Sequence, residues 1–231
     1  MLSIVVPTYN EAATIPSLAS RLSAALAGRE WELVVVDDGS PDGTADIAAA
    51  LAPALPVTVL RRSGKMGLAS AVVDGFAAAR GDVLVVMDAD LSHPPETVPA
   101  LADAVAAGSD LAVGSRYVDG GGIVDWPLRR RVVSRVACLL GNALVPVRDA
   151  TSGFFALRRS VIDGVRIDPV GFKIGFEVMA RGRYRRVAEV PYTFRDRAAG
   201  RSKFGTREIL EYGSQLAQVA RDRLGGRLRR A

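Results

Sequence analysis

Short apolar runs alternate with helical segments through the first part of this 231-residue chain. This alternation constrains the fold more than any other feature. The runs are rich in valine and end at polar, turn-rich segments, which is typical of buried strands in a parallel sheet. Four strands separated by three helices predict an α/β fold, with a Rossmann-like, mostly parallel sheet flanked by helices in a single domain. The predicted strands contain residues 4–6, 33–36, 57–60 and 83–87.

Carboxylates follow three of these four strands. Glu11 follows the first strand, Asp37 and Asp38 follow the second, and Asp88 and Asp90 follow the fourth. Because open α/β sheets bind ligands at the carboxyl ends of their strands, we expect these side chains at the ligand edge. Crowded carboxylates repel one another, and a divalent cation of the magnesium or manganese kind would relieve that repulsion and suit a phosphate ligand. An isolated Asp-x-Asp also occurs as a plain strand end, so the motif alone leaves that alternative open.

The remaining predicted elements bring cations towards the same edge. Arg116 follows a short strand and is expected at the carboxyl edge. The last helix combines an apolar stripe with terminal arginines, which fits core packing, docking at an anionic membrane surface, or both together. The stripe comprises Ile209, Tyr212, Leu216 and Val219. The predicted elements are helices at 67–79, 94–107, 128–144, 173–179 and 206–224, a strand at 111–113, a flexible glycine loop at 120–122 and a last strand at 186–190.

Composition excludes several kinds of site. The net charge of +5 fits nucleic acid, anionic lipid or phosphorylated substrates. A single cysteine, Cys138, excludes a disulfide framework, and a single histidine, His93, excludes a multi-histidine metal site. The glycine-rich motifs of dinucleotide-binding folds and of P-loops are missing, which argues against NAD and against ATP held in a P-loop. With no visible signal peptide and no apolar run of about 20 residues, a cytoplasmic location is expected.

Several motifs together resemble the family 2 glycosyltransferases of the GT-A fold. Within that family the sequence is most similar to the dolichol-phosphate (polyprenyl-phosphate) mannosyltransferases. The Asp-Gly-Ser-Pro-Asp-Gly-Thr and Asp-Ala-Asp-Leu-Ser-His-Pro segments are its most specific motifs, together with a late Gly-x-Ser-Lys loop. The resemblance rests on residues 6–11, 37–44, 87–94, 114–117, 130–134, 149–154 and 197–203.

The resemblance implies transfer of mannose from GDP-mannose to a dolichyl or polyprenyl monophosphate, with inversion at the anomeric carbon. Asp88 and Asp90 would hold Mg²⁺ or Mn²⁺, and Asp90 and Arg116 would serve catalysis. The nucleotide-sugar-binding residues implied by position are Pro7, Tyr9, Glu11, Val36, Asp38, Asp88, Ala89, Asp90, Arg116, Arg197 and Lys203.

The resemblance also divides the chain and implies its partners. Residues 1–118 would form the nucleotide-sugar half, and residues 119–231 the acceptor half with a basic amphipathic C-terminal helix. Arg130 and Ser134 would bind the lipid phosphate. The chain would then work at the cytoplasmic face of a membrane, through peripheral attachment or a separate membrane-anchoring protein, and nucleic acid is not an expected partner.

Two other functions stay open from the sequence. One is a family 2 transferase with another donor, such as UDP-glucose, or another acceptor. The other is a catalytically silent nucleotide-binding protein. Two positions depart from the family's usual pattern. The family's usual acidic residue before Ser-Lys is Arg201 here, and Phe155 follows Ser152-Gly153-Phe154. These departures bear on the identity of the transferred sugar.

Individual site residues also have structural alternatives. Glu11 can cap the first helix, and Arg116 can pair with a carboxylate at the edge of the sheet. Lys203 can be a solvated loop residue, and Arg130 with Ser134 can belong to a solvated helix face. His93 is expected to stabilise its loop rather than bind a metal.

Overall fold

A computed structural model describes residues 1–168, 173–195 and 206–225 of the chain, without the side chains of residues 206–209. Within these ranges strands and helices alternate as the apolar pattern predicts. Two 3₁₀ turns, Pro95–Thr97 and Arg159–Val161, accompany them. The elements are β1 (Leu2–Thr8), α1 (Ile15–Ala25), β2 (Trp31–Asp37), α2 (Thr44–Ala50), β3 (Val57–Arg61), α3 (Leu68–Ala78), β4 (Val83–Val86), α4 (Val98–Ala106), β5 (Leu111–Ser115), β6 (Gly122–Ile123), α5 (Leu128–Asn142), β7 (Phe155–Arg158), α6 (Ile174–Arg181), β8 (Val187–Pro191), β9 (Thr193–Phe194) and α7 (Thr206–Leu224).

The main sheet has seven strands in the order β3-β2-β1-β4-β7-β5-β8. All its pairings are parallel except those of β7, which runs antiparallel to both β4 and β5. The prediction of a mostly parallel sheet flanked by helices is therefore confirmed. Because β7 is reversed, the loop that enters it lies at the same edge as the carboxyl ends of β1, β2, β4 and β5.

Helices cover both faces of this sheet. On one face α3 packs over β1 and β2, and its core cluster, which includes Val5, Val34 and Val36, continues to buried residues of α6 and α7. On the other face α1 and α4 pack over alternate residues of the same strands, including Ile4 and Val6. Helix α3 approaches the sheet so closely that a Cβ on Gly75 would lie 2.3 Å from Val5 Cγ1. This tight two-sided packing holds the ends of the strands in fixed positions.

A small second sheet differs from the sequence prediction. Strand β6, which begins at the last residue of the expected flexible glycine loop, pairs with β9. The strand predicted as the last, at 186–190, is present as β8 but is followed by β9. Strands of two residues are too short to leave a periodic signal, which explains why both were missed. The helix predicted over 94–107 also begins as a 3₁₀ turn before α4.

The apolar stripe of α7 faces the core. Tyr212 and Val219 are 6% and 0% exposed, and Leu216 packs against the same core cluster. This confirms the core-packing alternative for the described part of the stripe, while the side chain of Ile209 lies outside the described residues. No helix in the described part of the chain is long and apolar enough to cross a membrane.

Candidate functional site

Each of the three acidic strand ends contains a residue in the left-handed backbone region. These residues are Asn10 (φ 62°) after β1, Gly39 (φ 75°) after β2 and Leu91 (φ 63°) after β4. For a bulky residue such as Leu91 this conformation costs on the order of 1–2 kcal/mol. Strained backbone of this kind concentrates where a chain must present groups to a ligand. The strained Leu91 therefore marks the loop after β4, at the carboxyl edge, as part of a candidate site.

Asp38 holds together two loops at this edge. Its carboxylate accepts hydrogen bonds from the backbone N–H groups of Met66 (3.0 Å) and Gly67 (2.8 Å). It also pairs with the buried guanidinium of Arg62 at 2.7 Å. Asp38, a predicted nucleotide contact, thus anchors the loop after β3.

That loop places a cation beside another predicted contact. Lys65 Nζ lies 4.1 Å from the centre of the Tyr9 ring, within the range of a cation–π interaction. Sequence reasoning missed both Lys65 and Arg62. The signal was present, since the Arg-Arg-Ser-Gly-Lys segment follows a predicted strand and so belongs to the same edge.

The other predicted nucleotide contacts differ in accessibility. Pro7 and Glu11 are partly exposed, and Glu11 Oε2 accepts a hydrogen bond from Thr14 Oγ1 at 2.9 Å, just before α1. Val36 is 0% exposed and packs in the core beneath the edge. Arg197 and Lys203 lie outside the described residues.

The Asp88-Ala89-Asp90 segment fits a divalent metal. The Asp88 side chain is 35% exposed, whereas Asp90 is 6% exposed and Ala89 3% exposed. Asp90 Oδ1 accepts a hydrogen bond from the backbone N–H of Ser92 at 3.0 Å. The buried Ser92 Oγ has no hydrogen-bond partner among the described residues, so it is a further oxygen beside the pair.

This donor set also agrees with what magnesium requires. No group of three or more His, Cys, Asp or Glu side chains capable of holding a metal occurs in the described ranges. Magnesium usually takes one or two carboxylates and completes its shell with water and substrate phosphate oxygens. Two carboxylates at an open edge therefore fit a metal that is shared with a diphosphate.

His93 stabilises the loop that carries these carboxylates. Its Nδ1 accepts a hydrogen bond from the backbone N–H of Asp88 at 3.0 Å, and its ring stacks on Phe154 with centroids 4.9 Å apart. Burial lowers the pKa of His93 below its usual value, although Asp88 and Asp90 oppose this. Because Nδ1 accepts this hydrogen bond, we assign a neutral ring with its proton on Nε2. The expected loop-stabilising role is confirmed.

Arg116 forms a buried ion pair with Asp149. The guanidinium donates to both carboxylate oxygens at 2.7 Å and to Thr151 Oγ1 at 2.8 Å, and the backbone N–H of Arg116 donates to Asp149 Oδ2 at 3.0 Å. Burial by itself would raise the pKa of Asp149, but the charge and hydrogen bonds of Arg116 outweigh it and lower that pKa. Both groups are therefore charged in the folded protein.

The pairing with Asp149 agrees with the alternative prediction that Arg116 forms an ion pair with a carboxylate at the edge of the sheet. Sequence reasoning gave Asp149 no role, because 33 residues separate the two partners. The backbone N–H of Asp149 donates in turn to Glu189 Oε1 at 3.1 Å, which fixes the loop before β7 against β8.

Two further side chains contact this ion pair or its loop. Lys173 Nζ donates to the backbone carbonyl of Thr151 at 3.1 Å. Burial, and then the nearby Arg116, lower the pKa of Lys173 to about 8. Cys138, expected to be a small buried hydrophobe, is buried but lies 3.2 Å from Thr151 Oγ1 and 3.5 Å from Asp149 Oδ1. Neither residue was predicted to lie in this cluster.

The predicted acceptor residues lie next to Arg116. The guanidinium carbons of Arg116 and Arg130 lie 5.5 Å and 3.9 Å from the centre of the Trp126 ring. Tyr117 Oη donates to Ser134 Oγ at 2.8 Å. Arg130 and Ser134 therefore occupy the partly buried side of α5 that faces this cluster, rather than a fully solvated face.

A cleft opens beside these residues, between α5 and the segment that contains β6. Its volume is about 410 Å³. Three arginines converge on it, and an apolar residue of α5 contributes to its wall. The lining residues are Arg116, Tyr117, Gly122, Ile123, Arg131, Val132 and Arg135.

Comparison with known proteins finds relatives that are named as mannosyltransferases or phosphomannose synthases. A dolichol-phosphate mannosyltransferase of Pyrococcus furiosus is 49% identical over 91% of this chain, which spans 61% of that relative's length. A polyprenol monophosphomannose synthase of Mycolicibacterium smegmatis is 42% identical over 99% of this chain and 89% of the relative.

A solved structure with the same architecture contains a metal and a nucleotide sugar. Glucosyl-3-phosphoglycerate synthase from Mycobacterium tuberculosis, in complex with Mn²⁺, UDP-glucose and phosphoglyceric acid, superposes with a TM-score of 0.68. The two sequences are 25% identical, and the match covers 97% of this chain and 80% of the other. The mostly parallel sheet described above is thus of the GT-A type.

The sequence profile described as Glycosyl transferase family 2 matches residues 3–166. This range runs from β1 through the three acidic strand ends, Arg116 and the Asp149 loop into β7. It therefore includes most of the predicted site residues and the ion pair that joins the two parts of the carboxyl edge. The chain accordingly belongs to glycosyl transferase family 2.

Proposed function

We propose that this protein transfers mannose from GDP-mannose to a dolichyl or polyprenyl monophosphate, with inversion at the anomeric carbon. The observation that carries the proposal is that one edge of the sheet brings a metal-type carboxylate pair and a cluster of arginines close together. The Phe194 ring lies beside both groups. Its centre is 6.1 Å from that of the His93 ring, whose Nδ1 accepts the backbone N–H of Asp88, and 5.9 Å from the guanidinium carbon of Arg116. Relatives named as mannosyltransferases with lipid-phosphate acceptors support the choice of sugar and acceptor.

In this proposal the first half of the chain holds the donor. Pro7, Tyr9, Glu11 and Asp38 line the nucleotide, with Lys65 contributing a cation next to Tyr9. Val36 supports this surface from the core. Asp88 and Asp90 would hold Mg²⁺ or Mn²⁺, and a metal bound there would supply positive charge to the departing diphosphate. Arg197 and Lys203 are proposed to close over the donor.

The acceptor phosphate is proposed to bind beside Arg116, Arg130 and Ser134, in the second half of the chain. One of its oxygens attacks the anomeric carbon from the face opposite the diphosphate. The bond from that carbon to the diphosphate oxygen breaks, and its electron pair leaves with GDP. Arg116 adds a fixed positive charge, because Asp149 both orients it and raises its pKa.

This reaction does not need a strong general base. The second pKa of a phosphate monoester is about 6, so the acceptor is already largely dianionic at neutral pH. The chain's single histidine supports this view. Its Nδ1 is engaged by the backbone of Asp88 and its ring is buried against Phe154. The main task of the site is therefore to bring two anions together.

The location that follows from the proposal is the cytoplasmic face of a membrane. There a water-soluble nucleotide sugar can meet a phosphate that is carried by a lipid. A separate membrane-anchoring protein would be a further partner under the same proposal.

A donor comparison tests the proposed function. Purified chain is incubated with detergent-dispersed polyprenyl phosphate, Mn²⁺ or Mg²⁺, and labelled GDP-mannose or UDP-glucose, and label is then measured in the organic phase. We expect extractable label from GDP-mannose. Label from UDP-glucose alone would reject mannose as the sugar. The absence of product from both donors, with nucleotide binding retained in calorimetry, would favour a silent binding protein.

A further inference from the structure

Two aromatic rings link three arginines beside the cleft. The centre of the Trp126 ring lies 3.9 Å from the guanidinium carbon of Arg130 and 5.5 Å from that of Arg116. The centre of the Tyr117 ring lies 5.3 Å from the guanidinium carbon of Arg116 and 4.5 Å from that of Arg135. All four distances are within the range of cation–π interactions. The two rings therefore hold the three arginines in one connected group.

An aromatic ring holds an arginine differently from a carboxylate. The N–H donors of a guanidinium lie in its plane, so a guanidinium that stacks on a ring keeps those donors for a phosphate. The negative face of the ring also offsets part of the repulsion between neighbouring guanidiniums without neutralising them. A ring shared by two arginines therefore keeps both of their charges available to one anion.

The chain holds Trp126 firmly at the start of α5. Asp125, directly before it, has a left-handed backbone with a φ of 63°. Pro127, directly after it, fixes its own φ, which is −56°, and immediately precedes the first residue of α5. The Trp126 ring also packs edge-on against the ring of Phe194 in β9, with centres 5.0 Å apart. Because β9 pairs with β6, the small second sheet supports the indole.

One polar atom of this group has no partner in the protein as described. Trp126 Nε1 is buried and makes no hydrogen bond with the described residues. A buried N–H of this kind normally finds a partner in the protein, in ordered water or in a ligand. Two arginines lie beside the same ring, so the surroundings of this N–H favour an anionic partner.

We propose that Trp126 positions the acceptor phosphate. Its ring holds Arg116 and Arg130 so that both contact one phosphate, and its indole N–H donates to an oxygen of the same group. The inference rests on the proposed function and deepens it, because it adds an uncharged residue to the acceptor site. Removal of the indole should therefore weaken binding of the acceptor and leave binding of the donor unchanged.

Two substitutions separate the contribution of the ring from that of its N–H group. Trp126→Leu removes both and should raise the KM for polyprenyl phosphate roughly tenfold or more. Trp126→Phe keeps an aromatic ring and should recover part of that loss. The KM for GDP-mannose and the Tm should stay close to wild type in both variants. An unchanged acceptor KM in Trp126→Leu, or an equal rise in both KM values with a lower Tm, would overturn the proposal.

Indole fluorescence measures acceptor binding without catalysis. Trp31 and Trp126 are the chain's two tryptophans, and Trp31 begins β2, at the end of the sheet away from the carboxyl edge. Trp31→Phe therefore leaves Trp126 as the single emitter. Farnesyl phosphate, a short polyprenyl phosphate, should change the emission of this variant to saturation, whereas farnesol, which lacks the phosphate, should not. Unchanged emission with farnesyl phosphate, or an equal change with farnesol, would overturn the proposal.

The role of Trp126 and the proposed function can fail separately. Transfer by wild type, combined with an unchanged acceptor KM in Trp126→Leu, would overturn the role of Trp126 and leave the reaction standing. A change in emission that requires the phosphate of the probe, combined with no transfer from any donor, would support the role of Trp126 in phosphate binding and reject the reaction.

Discussion

At the residue scale, the buried pair of Arg116 and Asp149 connects stability to the proposed chemistry. The side chains are 6% and 0% exposed, and four hydrogen bonds join Arg116 to Asp149 and Thr151. A buried ion pair is weak evidence for stability as such, since apolar replacements are often as stable. The position of this ion pair beside the proposed acceptor site is better explained by the need for an arginine that is held in one orientation.

Removal of one partner should destabilise the protein strongly. Asp149→Asn leaves Arg116 without its counter-charge and is expected to cost about 3–5 kcal/mol in the free energy of unfolding. The double variant Arg116→Met/Asp149→Asn removes the unpaired charge and should recover part of that loss while transfer stays abolished. Urea denaturation and the transfer assay measure the two effects. A double variant that transfers mannose normally would show that Arg116 is purely structural.

His93 should make stability depend on pH below about 6.5. Its pKa is lowered in the folded protein, so the unfolded chain takes up a proton first as the pH falls. The free energy of unfolding should therefore decrease as the pH falls below about 6.5, by at most about 1.4 kcal/mol per pH unit for one proton.

The comparison with His93→Gln isolates this effect, because His93 is the chain's single histidine. The substituted glutamine can still accept the N–H of Asp88 through its side-chain oxygen but does not titrate. When denaturation is measured in the presence of a chelator, the free energy of unfolding should change less with pH for His93→Gln than for wild type. If the free energy of unfolding changes with pH identically in the two proteins, His93 is protonated equally in the folded and unfolded states.

At the element scale, α5 and α7 show what an apolar pattern can and cannot predict. Both helices were predicted close to their observed bounds, Leu128–Asn142 and Thr206–Leu224. Periodicity predicts which face is apolar, but not what that face contacts. The described stripe of α7 is covered by the core, where Tyr212 packs edge-on against Phe176 at 5.5 Å. The apolar residues of α5 stay exposed; they are Leu128, Val132, Val136, Leu139 and Leu140.

Two helical glycines test how closely α5 packs on the rest of the protein. Gly141→Ala places a methyl group against Tyr212 and Ala150, and should cost about 1–3 kcal/mol through overpacking. Gly213→Ala, on α7, meets nothing within 4 Å. It should stabilise by up to about 1 kcal/mol, since alanine favours helix.

Thermal unfolding measures both substitutions, and their Tm values are expected to shift in opposite directions. A lower Tm for Gly213→Ala would show that α7 does not follow ordinary helix propensity. An unchanged or higher Tm for Gly141→Ala would contradict the close contact between α5 and the loop that holds Asp149.

At the scale of the whole molecule, the sheet explains which site residues the sequence could predict. Asp38, Asp88 and Asp90 could be predicted at the carboxyl edge because each lies within four residues of the end of a strand, and strand ends are visible in local sequence. Asp149, Lys65 and Lys173 were missed, because their positions depend on loops that meet only after folding. The reversal of β7 brings the Asp149 loop to the carboxyl edge, and no local pattern encodes that reversal.

The same topology joins the two proposed halves of the chain. Residues 1–118 supply β1 to β5, and β7 and β8 from the remainder complete the main sheet on both sides of β5. The proposed donor-binding loops and Arg116 are therefore held by one continuous sheet. This shared frame suits a reaction in which two anions must be brought to a fixed separation.

The most direct test of the account is mannose transfer by wild type and by Asp90→Asn, each with Mn²⁺ and with a chelator. The measured quantity is the initial rate at which label from GDP-mannose enters the organic phase with polyprenyl phosphate. We predict transfer by wild type with Mn²⁺, loss with the chelator, and a rate about 10²–10³-fold lower for Asp90→Asn with an unchanged Tm. A near-normal rate for Asp90→Asn, or wild-type transfer that the chelator does not change, would contradict the account.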